Sequence, residues 1–126
     1  MKIKISELNG AALDWAVAKC EGVEVHMTRG GWYVFDSEVH PEFSNEYNDS
    51  KMHSFKPSTN WAQGGPIIER ERIEVRDYGG DAWSAYDYIH PIQIGPTPLI
   101  AAMRCYVASK LGEEVEIPKE LQENEE

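Results

Sequence analysis

The residues best suited to ligand chemistry are clustered around Trp61. Trp61 offers a large aromatic face, and Ser58, Asn60 and Gln63 add hydroxyl and amide groups close to it in the chain. An aromatic ring with a few polar groups beside it is typical of sites that hold a planar ligand. The sequence therefore predicts a ligand site here. The alternative is that Trp61 fills the core.

Gly64 and Gly65 follow directly and precede Pro66. Glycine accepts backbone angles that other residues avoid, so we predict a tight corner at this point. Pro66 is tolerated in the first turn of a helix, and one or two helical turns should continue from it. The N–H groups of that helix start would then be accessible to an anion or a carbonyl-rich ligand. The alternative is that the glycines only let the chain turn.

Three more residues complete the predicted site. Trp83 lies in a run rich in aromatic residues, and at least one of these must lie on the face away from the core because strand side chains alternate. Arg104 stands alone in an apolar helix that starts at Thr97. There it either extends its charged end to solvent, pairs with a carboxylate, or binds a ligand's phosphate or carboxylate. The predicted ligand-binding residues are Ser58, Asn60, Trp61, Gln63, Gly64, Gly65, Trp83, Thr97 and Arg104.

Two segments have a clear helical pattern that would position these residues. Apolar residues recur at helical spacing from Leu13 to Cys20, which predicts a helix over 11–21 that ends at Gly22. Thr97 and Pro98 form a typical helix start, which predicts a second helix over 98–111. The predicted buried stripe of the second helix is Ile100, Met103, Val107 and Leu111.

The strand-like segments are short and separated by turn formers. Hairpin signals are local and no regular alternation of strand and helix occurs, so we expect antiparallel pairing. Residues 37–56 have no apolar period and predict a long loop. The predicted fold is a single α+β domain over 1–118, with a small antiparallel sheet packed on two main helices, and an acidic frayed tail over 119–126. Strands are predicted at 2–5, 23–27, 32–35, 73–78, 82–88 and 113–117. Hairpin turns are predicted at 29–31 and 79–81.

Composition restricts the class of partner. The 126 residues include 22 acidic and 12 basic side chains, which gives a net charge of −10. Phosphate-backbone binding relies on clustered Lys and Arg, so we expect no direct nucleic-acid binding. The N-terminal residues lack the apolar region of a signal peptide, and no apolar run is long enough to cross a bilayer. We therefore expect a cytoplasmic protein without membrane contact.

Motifs for metals, cofactors and nucleophilic catalysis are absent from the sequence. The histidines and cysteines lack the short paired spacing of zinc sites. Neither a Gly-x-Ser-x-Gly elbow nor a phosphate-binding glycine loop occurs. We predict no metal and no cofactor, and the sequence leans away from an enzyme. Hydrolases that use Asp or Glu need no such motif, so this alternative stays open.

Three blocks of the sequence resemble one family. They are residues 10–22, residues 57–69 and residues 95–112, in that order. Together they are similar to the NinX-like family of small proteins encoded by tailed phages and prophages. The resemblance implies a phage accessory protein that acts in the bacterial host cytoplasm, and the family implies no particular reaction.

Two function classes follow from these observations. In the first, the protein binds a small nucleotide-like ligand: an aromatic ring stacks on the base and Arg104 pairs with a phosphate. In the second, it is an interaction module that modulates a host protein through its acidic surface and an aromatic loop around Phe43, Tyr47 and Phe55. In either class we expect the domain to fold alone or as a small homo-oligomer.

Overall fold

The computed structural model describes residues 2–27, 33–36, 52–118 and Leu121. Within them helices and short antiparallel strands form one α+β arrangement, which confirms the predicted fold class. The elements in chain order are β1 (Lys2–Lys4), a 3-10 helix (Ile5–Glu7), α1 (Gly10–Glu21), β2 (His26–Met27), β3 (Tyr33–Asp36), β4 (Met52–Ser54), α2 (Trp61–Glu71), β5 (Glu74–Gly79), β6 (Ala82–Tyr86), β7 (Gln93–Gly95), α3 (Pro98–Leu111) and β8 (Glu114–Glu116).

The strands form two three-stranded sheets and one two-stranded pair, all antiparallel. The predicted hairpin of β5 and β6 is confirmed, and it turns at Gly79 and Gly80, both with positive φ. The predicted loop over 37–56 is wrong at its end, because β4 pairs with β3. Three residues are too few to show an alternating pattern, so only the pairing reveals this strand. The predicted turn at 29–31 lies outside the described residues.

Helix α3 is the centre of the core. It packs against α1, α2 and all three strands of the β5–β6–β7 sheet. The predicted stripe is too narrow: Met103 and Val107 are buried as predicted, but a helix with neighbours on several sides buries most of its surface. Ile100 and Leu111 are only half-buried. The fully enclosed residues of α3 include Ala101, Ala102, Met103, Cys105, Tyr106 and Val107.

One polar cluster joins the three helices. Arg70 of α2 donates two hydrogen bonds to the carboxylate of Glu21 in α1, at 2.9 and 2.6 Å. The hydroxyl of Tyr106 in α3 donates to the same carboxylate. Burial by itself raises the pKa of Glu21, but the hydrogen bonds from Arg70 and Tyr106 outweigh it and lower the pKa overall. The cluster thus fixes the spacing of the helices at one end of the core.

The two ends of the described chain meet in the β1–β8 pair. Ile3 lies opposite Val115, and both predicted terminal strands are confirmed. Beyond them Leu121 is buried and donates its N–H to the carbonyl of Pro118. The boundary between domain and tail at residue 118 stays a prediction. None of the helices in the described ranges is long and apolar enough to cross a membrane.

Candidate functional site

The starts of α2 and α3 border one small pocket. Its volume is about 200 Å³. The pocket exists because α2 and α3 pack against each other with their first turns side by side. Three predicted site residues, Ser58, Trp61 and Thr97, line it, although they come from two separate segments of the chain. The full lining is Ser58, Thr59, Trp61, Thr97, Pro98 and Leu99.

Side-chain caps hold both helix starts in position. Asn60 accepts a hydrogen bond from the N–H of Ala62 at 2.9 Å. Thr97 accepts one from the N–H of Ile100 at 3.1 Å. Such caps satisfy donors that the first turn of a helix leaves without partners. The side-chain oxygens of Asn60 and Thr97 therefore serve the backbone at the rim of the pocket.

Trp61 is the first residue of α2, and its side chain is 56% exposed. The alternative that it fills the core is therefore wrong. The indole lines the pocket and leaves a large part of its area in solvent. An exposed Trp at the edge of a concave site is available for stacking on a planar group.

Asp14 of α1 fixes the chain directly below the pocket. Its Oδ1 accepts a hydrogen bond from the N–H of Ser58 at 2.8 Å, and both residues are buried. Burial raises the pKa of Asp14 to about 6, although the N–H and the nearby hydroxyl of Ser58 and the charge of Lys56 oppose the shift. The carboxylate thus ties α1 to the residues that precede α2.

The hydroxyl of Ser58 has capacity for a further contact. Its Oγ is buried and close enough to the Asp14 carboxylate to lower the pKa of that carboxyl, but no described residue makes a hydrogen bond of ordinary geometry with it. A buried hydroxyl without a partner costs about 1–3 kcal/mol. Because Ser58 lines the pocket, a polar ligand atom there could satisfy this group.

Gln63 is buried and has a structural role. Its Oε1 accepts the N–H of Lys56 at 2.7 Å, and its Nε2 donates to the carbonyl of Ser54 at 2.8 Å. These two bonds hold the chain between β4 and α2 against the helix. Gln63 does not line the pocket.

The predicted glycine corner is wrong, because Gly64 and Gly65 lie inside α2. The Asn60 cap starts the helix at Trp61, ahead of the glycines, and the N–H of Gly64 donates to the carbonyl of Asn60 at 2.9 Å. This N–H is thus not available to a ligand. Position 64 requires glycine because a larger side chain has no room there, and a turn is not the reason. A Cβ on Gly64 would lie 2.5 Å from the carbonyl oxygen of Pro57.

Arg104 and Trp83 lie elsewhere in the fold. Arg104 is buried, and its Nε and Nη1 donate to the carbonyls of Leu8 and Ile94, each at 2.7 Å. Both expected roles, a carboxylate pair or a ligand contact, are replaced by these backbone contacts. Trp83 is half-buried in β6 opposite Gly95 and packs against the core. Neither residue lines the pocket.

The lining determines what the pocket can do chemically. It consists of three hydroxyl-bearing residues and the side chains of Trp61, Pro98 and Leu99, with no ionisable side chain. Ligand pockets for drug-sized molecules measure about 300–1,000 Å³, so this one suits a single ring. Within the described ranges no group of three side chains could hold a metal ion. The arrangement therefore offers stacking and neutral hydrogen bonds.

Sequence reasoning missed Asp14. A single carboxylate on an amphipathic helix is usually solvated, and nothing else in the sequence connects it to Ser58. Its helical position could have indicated burial, because Asp14 is three residues before Val17 and four before Ala18, on the apolar side of α1. Its partner across the core appears only when α1 and the residues before α2 are brought together.

Comparison with known proteins identifies the family. No curated protein matches the chain significantly. The family model described as bacteriophage P22, NinX matches residues 4–110. The match includes α1, α2 and almost all of α3, and with them every residue that lines the pocket. The chain belongs to the bacteriophage P22 NinX family.

Proposed function

We propose that this protein is a phage accessory protein that binds a small planar ligand, such as the base of a nucleotide, beside Trp61 in the bacterial host cytoplasm. One observation carries the proposal: a largely exposed indole borders a pocket in which a buried hydroxyl, that of Ser58, is unpartnered among the described residues. The ring stacks on Trp61, and its polar edge reaches the hydroxyls. In this pocket the protein binds its ligand and does not react with it.

The surroundings of the pocket narrow the ligand. The guanidinium of Arg104 donates to the carbonyls of Leu8 and Ile94 and does not line the pocket, so it does not contact a phosphate there. No Lys or Arg lines the pocket, whose volume of about 200 Å³ holds one ring. The ligand therefore places its neutral ring in the pocket, and any sugar or phosphate extends into solvent.

Replacing Trp61 with Ala tests this proposal. Stacking of a base on an aromatic side chain contributes about 1–3 kcal/mol, so binding should weaken by about 5- to 160-fold. The unfolding free energy should change by less than about 1 kcal/mol, because Trp61 is largely exposed. Isothermal titration calorimetry with adenosine, guanosine, cytidine and uridine measures the first quantity, and urea denaturation measures the second.

Tyr78→Ala is the matched control, because Tyr78 is an exposed aromatic residue that does not line the pocket. We expect this variant to bind as the natural chain does. Equal weakening in both variants would contradict a specific site at Trp61. The proposal also fails if the natural chain binds none of the four nucleosides.

A second candidate function is protein binding, and a different surface favours it. Tyr88, Ile89 and Ile92 are 62%, 81% and 55% exposed. The Oδ1 of Asp87 accepts the N–H of Ile89 at 3.0 Å, which gives this exposed apolar segment a defined shape. Of the aromatic residues in the loop expected from sequence, Phe55 is buried, and Phe43 and Tyr47 lie outside the described residues. Exposed apolar patches of this kind are typical of docking surfaces.

Replacing Ile89 and Ile92 together with Ser tests the second candidate. Both side chains are exposed, so the unfolding free energy should change by less than about 1 kcal/mol. We expect a stoichiometric host polypeptide to co-purify with the natural chain from infected cells and to be lost from the double variant. Trp61→Ala should retain it. Docking through this segment would be excluded if the double variant kept the host polypeptide, or if no host polypeptide co-purified with the natural chain.

A further inference from the structure

A second and larger cleft lies at the opposite end of α3 from the Trp61 pocket. Its volume is about 610 Å³. It is bordered by the end of β1, the segment leading into β7, the last turn of α3 and the start of β8. The lining residues are Lys4, Ser6, His90, Pro91, Gln93, Ala108, Gly112, Glu113 and Glu114.

His90 is oriented within this cleft by Asp87. The Nδ1 of His90 lies 2.6 Å from the Oδ2 of Asp87, while Oδ1 accepts the backbone N–H groups of Ile89 and His90. Burial by itself raises the pKa of Asp87, but these hydrogen bonds lower it overall, so the carboxylate is charged at neutral pH. A charged Asp87 requires a proton on Nδ1. In neutral His90, Nε2 therefore carries the lone pair.

The second ring nitrogen of His90, Nε2, is not used in the contact with Asp87. It makes no hydrogen bond to any residue in the described part of the chain. The side chain is 38% exposed and lines the cleft. An imidazole with a carboxylate on one nitrogen and a reachable lone pair on the other is the usual arrangement of a general base.

The other charges in the cleft restrict the substrate. Lys4 contributes an ammonium group, and its strand neighbour across the β1–β8 pair is Glu114. Glu113 adds a second carboxylate, and Asp87 lies behind the imidazole. The carboxylates outnumber the ammonium group, so anionic substrates such as phosphate esters are disfavoured. A neutral molecule with a polarisable carbonyl group is compatible with this set.

We propose that this cleft is a second functional site, which hydrolyses small neutral carboxylic esters with His90 as the general base and Asp87 as its positioning residue. A water molecule gives its proton to Nε2 of His90 while its oxygen bonds to the ester carbonyl carbon. The tetrahedral intermediate then collapses, the bond to the alcohol oxygen breaks, and His90 returns the proton to the leaving alkoxide. The products are a carboxylic acid and an alcohol.

Two further side chains have defined parts in this scheme. The ammonium of Lys4 offers positive charge for the oxyanion that forms on the carbonyl oxygen. Ser6 lines the cleft but makes no hydrogen bond to His90 among the described contacts, so water is the nucleophile in place of a serine. The site is independent of the Trp61 pocket.

The test is hydrolysis of 4-nitrophenyl acetate, followed by absorbance of the released nitrophenolate. General-base catalysis contributes about 10²–10⁴-fold to rates, and we expect His90→Gln to lower kcat/KM by at least about tenfold. Exposed imidazoles hydrolyse this ester weakly by themselves. His26→Gln is therefore the matched control, because His26 is exposed and does not line the cleft. It should leave the rate unchanged.

Asp87→Asn tests the positioning role. Asn keeps an oxygen for the two backbone N–H groups, but its amide donates to Nδ1 and moves the imidazole proton to Nε2. We expect kcat to fall about tenfold or more with KM unchanged, and long-range proton–nitrogen NMR to show the changed His90 tautomer. Equal losses in His90→Gln and His26→Gln would overturn the proposal. So would a changed tautomer in a folded Asp87→Asn protein that hydrolyses the ester at the natural rate.

Discussion

Replacing Arg104 with Met is expected to lower the free energy of unfolding by about 3 kcal/mol. Met has a similar volume but donates no hydrogen bonds, so the carbonyls of Leu8 and Ile94 lose the bonds that Arg104 makes to them. Each unsatisfied buried carbonyl costs about 1–3 kcal/mol, and removing a buried charge offsets part of that loss. Urea denaturation followed by far-UV circular dichroism measures the change.

The control for Arg104 is Arg72→Met. Arg72 is exposed and makes no side-chain hydrogen bond to the described residues, so its replacement should change stability by less than about 1 kcal/mol. Arg104→Lys should be intermediate, because an ammonium cannot reproduce the two-pronged geometry of a guanidinium. If Arg104→Met unfolds at the same urea concentration as the natural chain, the contacts of Arg104 with β7 and with the end of the 3-10 helix do not stabilise the fold. A ligand role for Arg104 would then regain support.

Replacing Asp14 with Asn should stabilise the protein at neutral pH by up to about 3 kcal/mol. Burial raises the pKa of Asp14 from 3.8 to about 6 in the folded state. Between these values the folded chain holds more protons than the unfolded chain, so its stability falls as pH rises. Asn carries no charge and retains an oxygen that can accept the N–H of Ser58.

The measurement is the difference in unfolding free energy between Asp14→Asn and the natural chain at pH 4, 5, 6 and 7. We expect a small difference at pH 4 and growing stabilisation of the variant up to pH 7. Asp81→Asn is the control, since Asp81 is exposed, and its difference should not vary in this way. A variant that is less stable at pH 7 would mean that the charged Asp14 is held well enough by Ser58 and Lys56 to overcome its burial.

The fold class and the ends of α1 and α3 were predictable because their causes are local. Thr97 and Pro98 define the start of α3, and Gly112 ends it with a positive φ. Local turn formers likewise predicted the hairpin of β5 and β6. The start of α2 was harder, because Gly64 and Gly65 indicate a turn by composition. The Asn60 cap starts the helix at Trp61, so both glycines lie within it despite that composition.

The candidate site was predictable only in part. Of the nine predicted residues, Ser58, Trp61 and Thr97 line one pocket. Gln63, Gly64 and Arg104 serve the fold instead, through bonds or close contacts with backbone atoms. The side-chain types that suit a ligand are the same types that satisfy buried carbonyls and N–H groups. A sequence therefore does not separate the two roles.

The sequence by itself determined the α+β class, the family resemblance and the aromatic and polar character of the segment around Trp61. These properties depend on neighbouring residues, through helical and strand periods, caps and turns. The tertiary structure alone decided which partner each polar side chain has. Asp14 meets Ser58 across 44 positions, and Arg104 meets Leu8 across 96. Such contacts form when α3 packs against the other elements. A polar group that is buried in this way loses its hydrogen bonds to water, so it is stable only with a protein partner, which is often distant in the sequence.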